Sequence, residues 1–466
     1  MNTGDLNYLA WIKVRREEVY KRSRNLYLKK QEDWEAEEFL KGDSCSKTLS
    51  NKNKKDISKL KINALNNGKD LVTKIDDLLQ VASDFYKKLY TETEIDLEAS
   101  EEILKAVKPS VTQEENTNLL QPITAGEILL AIECAPKDKS PGPDSIPSEI
   151  WSHFIQRAPM MATDFNDWLV NGLPLGLNEG IITLLHKKGD PTDVRNYRPI
   201  TLLNTIYKVL TRVITNRIST ILRRTISPTQ SALPDRYIGH NVRLLCDLID
   251  YVKAQKIECG ILQLDQEKAF DMVSHQFLFL TMEKMGFSRS FINWVRNIYN
   301  NAHSRIKING YLSEPIKLER GVRQGDPLSP LLFTICIEPI IRAIERDITG
   351  INVPNAIVKT SAFADDLTVL VSSHNDWVKV EKLMDLYQRA SGAKFNNKKC
   401  EAILHNLDKL ENSVFFQSQF TDKKHVFTNL GIPCSFNLNL EQEWNKPIKK
   451  YVATLKSWYK VNLPHS

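Results

Sequence analysis

The tripeptide Ala364-Asp365-Asp366 lies between two short alternating runs, Lys359–Phe363 and Leu367–Ser372. Alternation is the period of a half-buried strand, and Asp is a common turn former. The spacing therefore predicts an antiparallel hairpin with the carboxylates at its turn. A sheet containing that hairpin must be covered by other apolar elements. Two adjacent carboxylates beside apolar strands also repel each other unless something positive is near.

A third carboxylate is placed to join them. Gly260–Leu264 reads as a buried strand, and Asp265 follows it directly. Hard divalent cations such as Mg²⁺ select carboxylate oxygen. Three carboxylates from strand ends suit a pair of metals, which can activate a hydroxyl nucleophile and stabilise the leaving oxygen of an in-line phosphoryl transfer.

Around these strands the chain alternates helix and strand signals. Ile123–Cys134 reads as a helix, and Lys139–Pro147, with three prolines, as a rigid loop. Ile181–His186 reads as a strand. Leu202–Ile221 reads as a helix with apolar residues at Leu203, Ile206, Leu210, Val213, Ile214 and Ile218. Ser274 is placed to cap a helix that stops at Gly286, and Asn309-Gly310 to turn a hairpin. Ser329-Pro330 begins a helix running through Ile348. Such interleaving predicts a chain that mixes helices with sheet.

The first ~110 residues differ, reading as helices and loops with modest core content and a linker near Pro109–Pro122. The expected divisions are 1–120, 121–260, 261–437 and 438–466. The length, 466 residues, suits about three domains with appendages.

Charge adds a partner class. The net charge is only +6. Yet 181–224 holds nine basic residues against Asp190 and Asp193, and Lys13–Lys30 holds eight against Glu17 and Glu18. Such blocks fit a polyanion, or else a solvated helix face. The 42% apolar content excludes a disordered or collagen-like chain. Seven scattered cysteines without a C-x-x-C pair argue against a zinc knuckle and for reduced thiols. No apolar leader or membrane-length run occurs, so an intracellular chain, nuclear or cytoplasmic and without membrane contact, is expected.

Five segments carry a family resemblance. Ala362-Phe363-Ala364-Asp365-Asp366 resembles the F/Y-A-D-D motif of reverse transcriptases, and Asp265-Gln266-Glu267-Lys268-Ala269-Phe270-Asp271 their D-x-x-K-A-F-D strand end. Gly321-Val322-Arg323-Gln324-Gly325-Asp326-Pro327-Leu328-Ser329-Pro330 resembles the G-x-R-Q-G-x-P-L-S-P loop. Asn196-Tyr197-Arg198-Pro199-Ile200 resembles the N-Y-R-P-I fingers motif, and Lys139-Ser140-Pro141-Gly142-Pro143-Asp144 the loop before it. Together, from about Ile123 to Cys434, they look like the non-LTR (long interspersed element type) retrotransposon branch.

The resemblance implies an α+β right-hand polymerase: an antiparallel palm sheet, helical fingers over about Ile123–Gly260 and an incomplete helical thumb. It implies DNA synthesis on an RNA template from a DNA primer and dNTP, with two Mg²⁺ ions, or Mn²⁺ instead. Asp265 and Asp365 would hold the metals, with Asp366 in support. Phe270 would exclude a 2′-hydroxyl. Arg198, with Lys187 or Lys188, would meet the triphosphate. Arg323, Gln324 and Gly325 would form the template and nucleotide loop. Lys399 would match a late lysine that protonates pyrophosphate, and Leu430-Gly431-Ile432 a primer grip.

Some residues depart from the pattern. Gln230-Ser231-Ala232-Leu233-Pro234-Asp235-Arg236 is a loose version of Q-x-G-F-R-P-G-R, which bears on template handling. Trp444–Pro464 is expected to be only the beginning of a thumb, and no endonuclease motif precedes the domain. The rival expectation is an inactive truncated element product that at most binds nucleic acid. An RNA-dependent RNA polymerase is disfavoured by Phe270 and Ala364, and an intron maturase by Phe363.

Overall fold

The computed structural model describes residues 61–407 and 426–436, with positions 445, 448, 449, 452 and 453. Lys13–Lys30 and nearly all of Trp444–Pro464 lie outside the described residues. The elements used below are helix α1 (Ile75–Tyr90), strands β1 (Gly180–His186) and β2 (Tyr197–Leu203), helices α2 (Thr205–Thr225) and α3 (Ile238–Gln255), and strand β3 (Cys259–Leu264). There follow helix α4 (His275–Met285), strand β4 (His303–Ile308), helix α5 (Ser329–Asp347), strands β5 (Thr360–Phe363) and β6 (Asp366–Val371), helix α6 (His374–Ser391) and strand β7 (Glu401–His405). The chain is α+β.

Two compact units are threaded from separate stretches. Among the described residues, the first comprises 61–92, Gln113–Ile218 and Ser288–Ser329; the second comprises Thr93–Thr112, Ser219–Phe287 and those from Pro330 onward.

In the first unit β1 pairs antiparallel with β2 and parallel with β4. The short strands Tyr311–Leu312 and Ile316–Lys317 both pair antiparallel with β4, as the Asn309-Gly310 turn requires. Asn309 and Gly310 take φ +51° and +98°, the left-handed pair of a tight hairpin. α1 lays Leu78, Ala82, Tyr86 and Tyr90 against Ile182, Leu184, Ile306 and Ile308. The N-terminal part thus supplies a full helix of core, more than its composition suggested.

Three sequence readings need correcting. Leu202 and Leu203 end strand β2, and the helix begins at Thr205. Their fit to a helical period was coincidental: the sheet partner of Leu203 is Gly180, and β2 is an edge strand, where Pro199 costs no ladder bond. Leu71–Tyr90 has helical apolar spacing throughout, yet Leu71–Val72 is a strand and the helix begins at Ile75. The expected linker at Pro109–Pro122 contains the helix Gln113–Leu119.

In the second unit the strand order is β5-β6-β3-β7, all antiparallel. α3 covers one face, packing Leu245, Leu248, Ile249 and Val252 against Ile261, Leu370 and Ile403. Leu262, Leu264, Leu367 and Val369, which alternation assigns to the opposite face, are buried as well. A sheet buried on both faces explains why β3 and β6 read as nearly unbroken apolar runs. Ser274 accepts the Phe277 N–H at the start of α4, and Gly286 closes it at φ +95°, as predicted.

Candidate active site

The register of the second unit's sheet decides where its carboxylates go. Phe363 pairs with Asp366, which leaves Ala364 and Asp365 as a two-residue turn. Leu367 pairs with Leu264, so one step toward the turn sets Asp366 across from Asp265. All three carboxylates therefore lie at one end of the central strands. Asp265 and Asp365 are half-buried and Asp366 is exposed.

The loop 394–400 is laced to this strand end. Asn396 N–H donates to the Asp265 carbonyl at 2.8 Å, and Glu267 N–H to Lys394 at 2.8 Å. Lys399 Nζ lies 3.8 Å from Asp265 Oδ2, and about half of its side chain is exposed. Such a solvated pair contributes little stability and exchanges readily. The Asp265 N–H points at Cys400 Sγ at 3.4 Å. Burial pushes that thiol up to about 11, so it stays protonated at neutral pH.

Phe270 lies in the short 3₁₀ turn Ala269–Met272, which follows a left-handed Lys268 (φ +44°), and it is half-buried. Its ring stacks on Phe333 of α5, with centroids 4.8 Å apart and planes 9° apart. Phe333 is fully buried, so it backs the Phe270 ring. Sequence reasoning missed this residue; inside the apolar run Leu331–Ile337 an aromatic is ordinary core. Asp271 is buried, consistent with a structural part.

Apart from Leu430-Gly431-Ile432, the remaining predicted residues belong to the first unit. Arg198 pairs with Leu185 in the ladder, and both are exposed. Lys187 N–H reaches the Asn196 carbonyl at 2.9 Å, which carries the hairpin one step past His186. Alternation from Leu185 then puts Lys187, not Lys188, on the face of Arg198.

Gly325 is exposed and Gln324 half-buried. The Gln324 carbonyl accepts the Thr201 N–H at 2.7 Å. Gly325 has φ +121°, and a Cβ there would stand 2.5 Å from the Thr201 carbonyl oxygen. The close approach that glycine permits is thus to the chain's own strand.

Arg323 departs from expectation. It was expected at a template, yet it is 2% exposed. Its Nη1 donates to the Asn178 carbonyl at 2.5 Å, and the guanidinium lies 5.5 Å from the Tyr207 ring centroid. Asp326 beside it is buried, and that burial raises its carboxyl against the pull of Thr211, Leu328 N–H and Arg323. Burial likewise raises the Tyr207 and Tyr299 phenols. Arg323 therefore shapes the loop from beneath.

Among the described residues, no three His, Cys, Asp or Glu side chains form a ready-made metal cage. The donor chemistry nevertheless fits a hard divalent cation, because Asp265, Asp365 and Asp366 offer only carboxylate oxygen at one strand end. Among the described residues, too, no helix is long and apolar enough to cross a membrane.

The family model for reverse transcriptase (RNA-dependent DNA polymerase) matches residues 185–434, a stretch that includes Arg198, the Gln324 loop and all three carboxylates. The chain is 33% identical over 362 residues to the transposon TX1 uncharacterized 149 kDa protein of Xenopus laevis, covering 75% of this chain and 27% of that protein. It is 28% identical over 263 residues to the Pol polyprotein of the type-2 retrotransposable element R2DM of Drosophila melanogaster, covering 56% and 24%. It is 26% identical over 266 residues to the RNA-directed DNA polymerase from the mobile element jockey, also of Drosophila melanogaster, covering 54% and 28%. The chain spans about a quarter of the length of these relatives. With the motifs in order and the match spanning more than half its residues, this chain belongs to the reverse transcriptase family.

Proposed function

We propose that the chain is an RNA-directed DNA polymerase of a non-LTR retrotransposon, with the second unit's sheet as its palm. The observation that carries this reading is the ladder register that brings Asp366 opposite Asp265, with Asp365 at the adjoining turn. Asp265 and Asp365 would hold the catalytic divalent cations, Mg²⁺ or Mn²⁺, with Asp366 in support. Those ions would lower the pKa of the primer 3′-hydroxyl and neutralise charge on the departing oxygen. The hydroxyl attacks the α-phosphate of a dNTP, and pyrophosphate leaves.

The chain's own side chains do the rest. Arg198 presents a planar fork suited to phosphate, with Lys187 beside it on the same face. Phe270, backed by Phe333, fills the space a ribose 2′-hydroxyl would need. Lys399, whose Nζ lies 3.8 Å from Asp265 Oδ2, gives a proton to pyrophosphate in this reading. Gln324 and Gly325 receive template and nucleotide. The hairpin Phe427–Asn429 and Ile432–Cys434, turning at Leu430-Gly431 with φ +49° and +85°, serves as primer grip.

The test is dNTP incorporation on a primed RNA template with Mg²⁺, comparing wild type with Asp365→Ala/Asp366→Ala. Incorporation lost only in the double variant supports the reading. If the wild type incorporates nothing yet binds RNA in a salt-sensitive way, the chain is a nucleic-acid binder and the polymerase reading falls.

A further inference from the structure

The segment Gln230–Arg236, the loose version of Q-x-G-F-R-P-G-R, begins alongside the strand of the second unit that leads to Asp365. Residues 229–231 form a parallel bridge with β5. Ala362 N–H donates to the Thr229 carbonyl at 2.9 Å, and Ser231 N–H to the Ala362 carbonyl at 2.8 Å. Backbone pairing stops there, two residues short of the turn.

The Gln230 side chain takes over. Its Oε1 accepts the Ala364 N–H at 2.8 Å, and its Nε2 donates to the Ala364 carbonyl at 3.2 Å. Oε1 also accepts the Ala232 N–H at 3.1 Å. The side-chain amide thus acts as one more peptide group in the ladder, grasping both polar atoms of the residue before Asp365. Ala364 needs such a grasp, because its φ of +52° is a left-handed conformation that alanine disfavours.

Gln230 is itself immobilised. It is fully buried. On one side Thr229 Oγ1 and Thr360 Oγ1 meet each other at 2.9 Å, and both reach Glu345 Oε1. On the other, Asn241 Nδ2 donates to the Ala362 carbonyl at 2.9 Å, and Asn241 Oδ1 accepts the Ser231 hydroxyl. The clamp is therefore fixed before it touches the turn.

We propose that Gln230 is the positioning residue of the Asp365 turn: its amide sets the turn so that Asp365 presents its carboxylate as a metal ligand. The chemistry explains the residue type. Asparagine lacks the reach, glutamate can accept from Ala364 N–H but repels its carbonyl, and methionine of similar size makes neither bond. Supporting groups of this kind are worth roughly 10–100-fold in metal affinity or activity. This inference rests on the reading of Asp365 as a metal ligand.

The experiment measures Mn²⁺ binding to the full chain by electron paramagnetic resonance, so it does not depend on turnover. Wild type, Gln230→Met, Gln230→Glu and Asp365→Asn are compared, each checked by thermal melting. Gln230→Met is expected to weaken Mn²⁺ binding about tenfold, and to lower kcat for dNTP incorporation while leaving KM for dNTP near wild type. Gln230→Glu, which keeps the fold's two acceptor contacts, should weaken binding severalfold; it decides the matter alone if Gln230→Met does not melt cooperatively. If Asp365→Asn weakens binding while the folded Gln230 variants bind as wild type does, the positioning role is overturned. If Asp365→Asn itself binds Mn²⁺ like the wild type, the metal-ligand reading fails and takes this inference with it.

Discussion

Three glycines of the first unit separate two costs that usually come together. Gly310 has φ +98° and nothing within 4 Å of a would-be Cβ, so Gly310→Ala meets only the left-handed backbone penalty. That penalty is ~1–2 kcal/mol, offset by ~0.4–1 kcal/mol from a less flexible unfolded chain. The net expectation is about 1 kcal/mol. Gly142→Ala meets the opposite case, a collision without a positive φ: its Cβ would lie 2.3 Å from the Asn204 nitrogen and 2.6 Å from the Leu203 carbonyl oxygen. Gly325→Ala meets both, with φ +121° and the Thr201 carbonyl at 2.5 Å. Relieving that clash pushes the loop off β2 and gives up the 2.7 Å bond from Thr201 N–H to the Gln324 carbonyl. A buried backbone group left unpaired costs about 1–3 kcal/mol, so Gly325→Ala should lose about 2–4 kcal/mol in all. Urea unfolding followed by intrinsic fluorescence gives the three midpoints. A Gly325→Ala loss no greater than that of Gly310→Ala would falsify the claim that glycine is required there by contact with β2.

Two further outcomes are expected. Phe270→Ala should lower the ratio of kcat/KM for dNTP over the matching ribonucleotide roughly tenfold or more. Phe333→Leu, which removes only the supporting stack worth ~0.5–1.5 kcal/mol, should lower it less; steady-state incorporation checks both, and an unchanged ratio in Phe270→Ala would remove the gate. Burial pushes the Glu338 carboxyl from 4.5 up to about 7, against the pull of Arg342 and Ser227 N–H. The neutral acid is thus favoured in the folded state, and its contribution is complete below pH ~4.5 and lost as pH rises toward ~7. Melting temperatures of Glu338→Gln should accordingly gain on the wild type across that window, and a difference that stays flat with pH contradicts this account.

The carboxylate cluster was legible because its determinants are local. A period of two on each side of Asp365-Asp366, and an apolar run ending at Asp265, put all three at strand ends before any long-range contact is considered. The pairing of β3 with β6 was not local, yet apolar strands of one sheet have few alternatives. Phe333 and the role of Gln230 were invisible for the opposite reason. Each acts through a partner far along the chain, and a buried glutamine or phenylalanine carries no mark of the backbone or ring it touches. Arg323 shows the same limit: its type suggested a nucleic-acid contact, whereas Asn178 and Tyr207 enclose it. Helix boundaries failed where an edge strand happened to share the helical spacing, at Leu202 and Leu203.

The threading of the first unit also bears on how the chain is born. Ile62 N–H donates to Asn309 Oδ1 at 3.0 Å, a partner 247 positions later. At ~5–20 residues per second, ribosomal synthesis takes roughly 12–50 s to cover that interval. Throughout it the apolar face of α1, with Leu78, Tyr86 and Tyr90, waits for Ile306 and Ile308. Ile182 and Leu184 of β1 emerge within that interval and cover part of the helix, so the nascent chain presents an incompletely covered amphipathic helix, open to a chaperone, until β4 arrives.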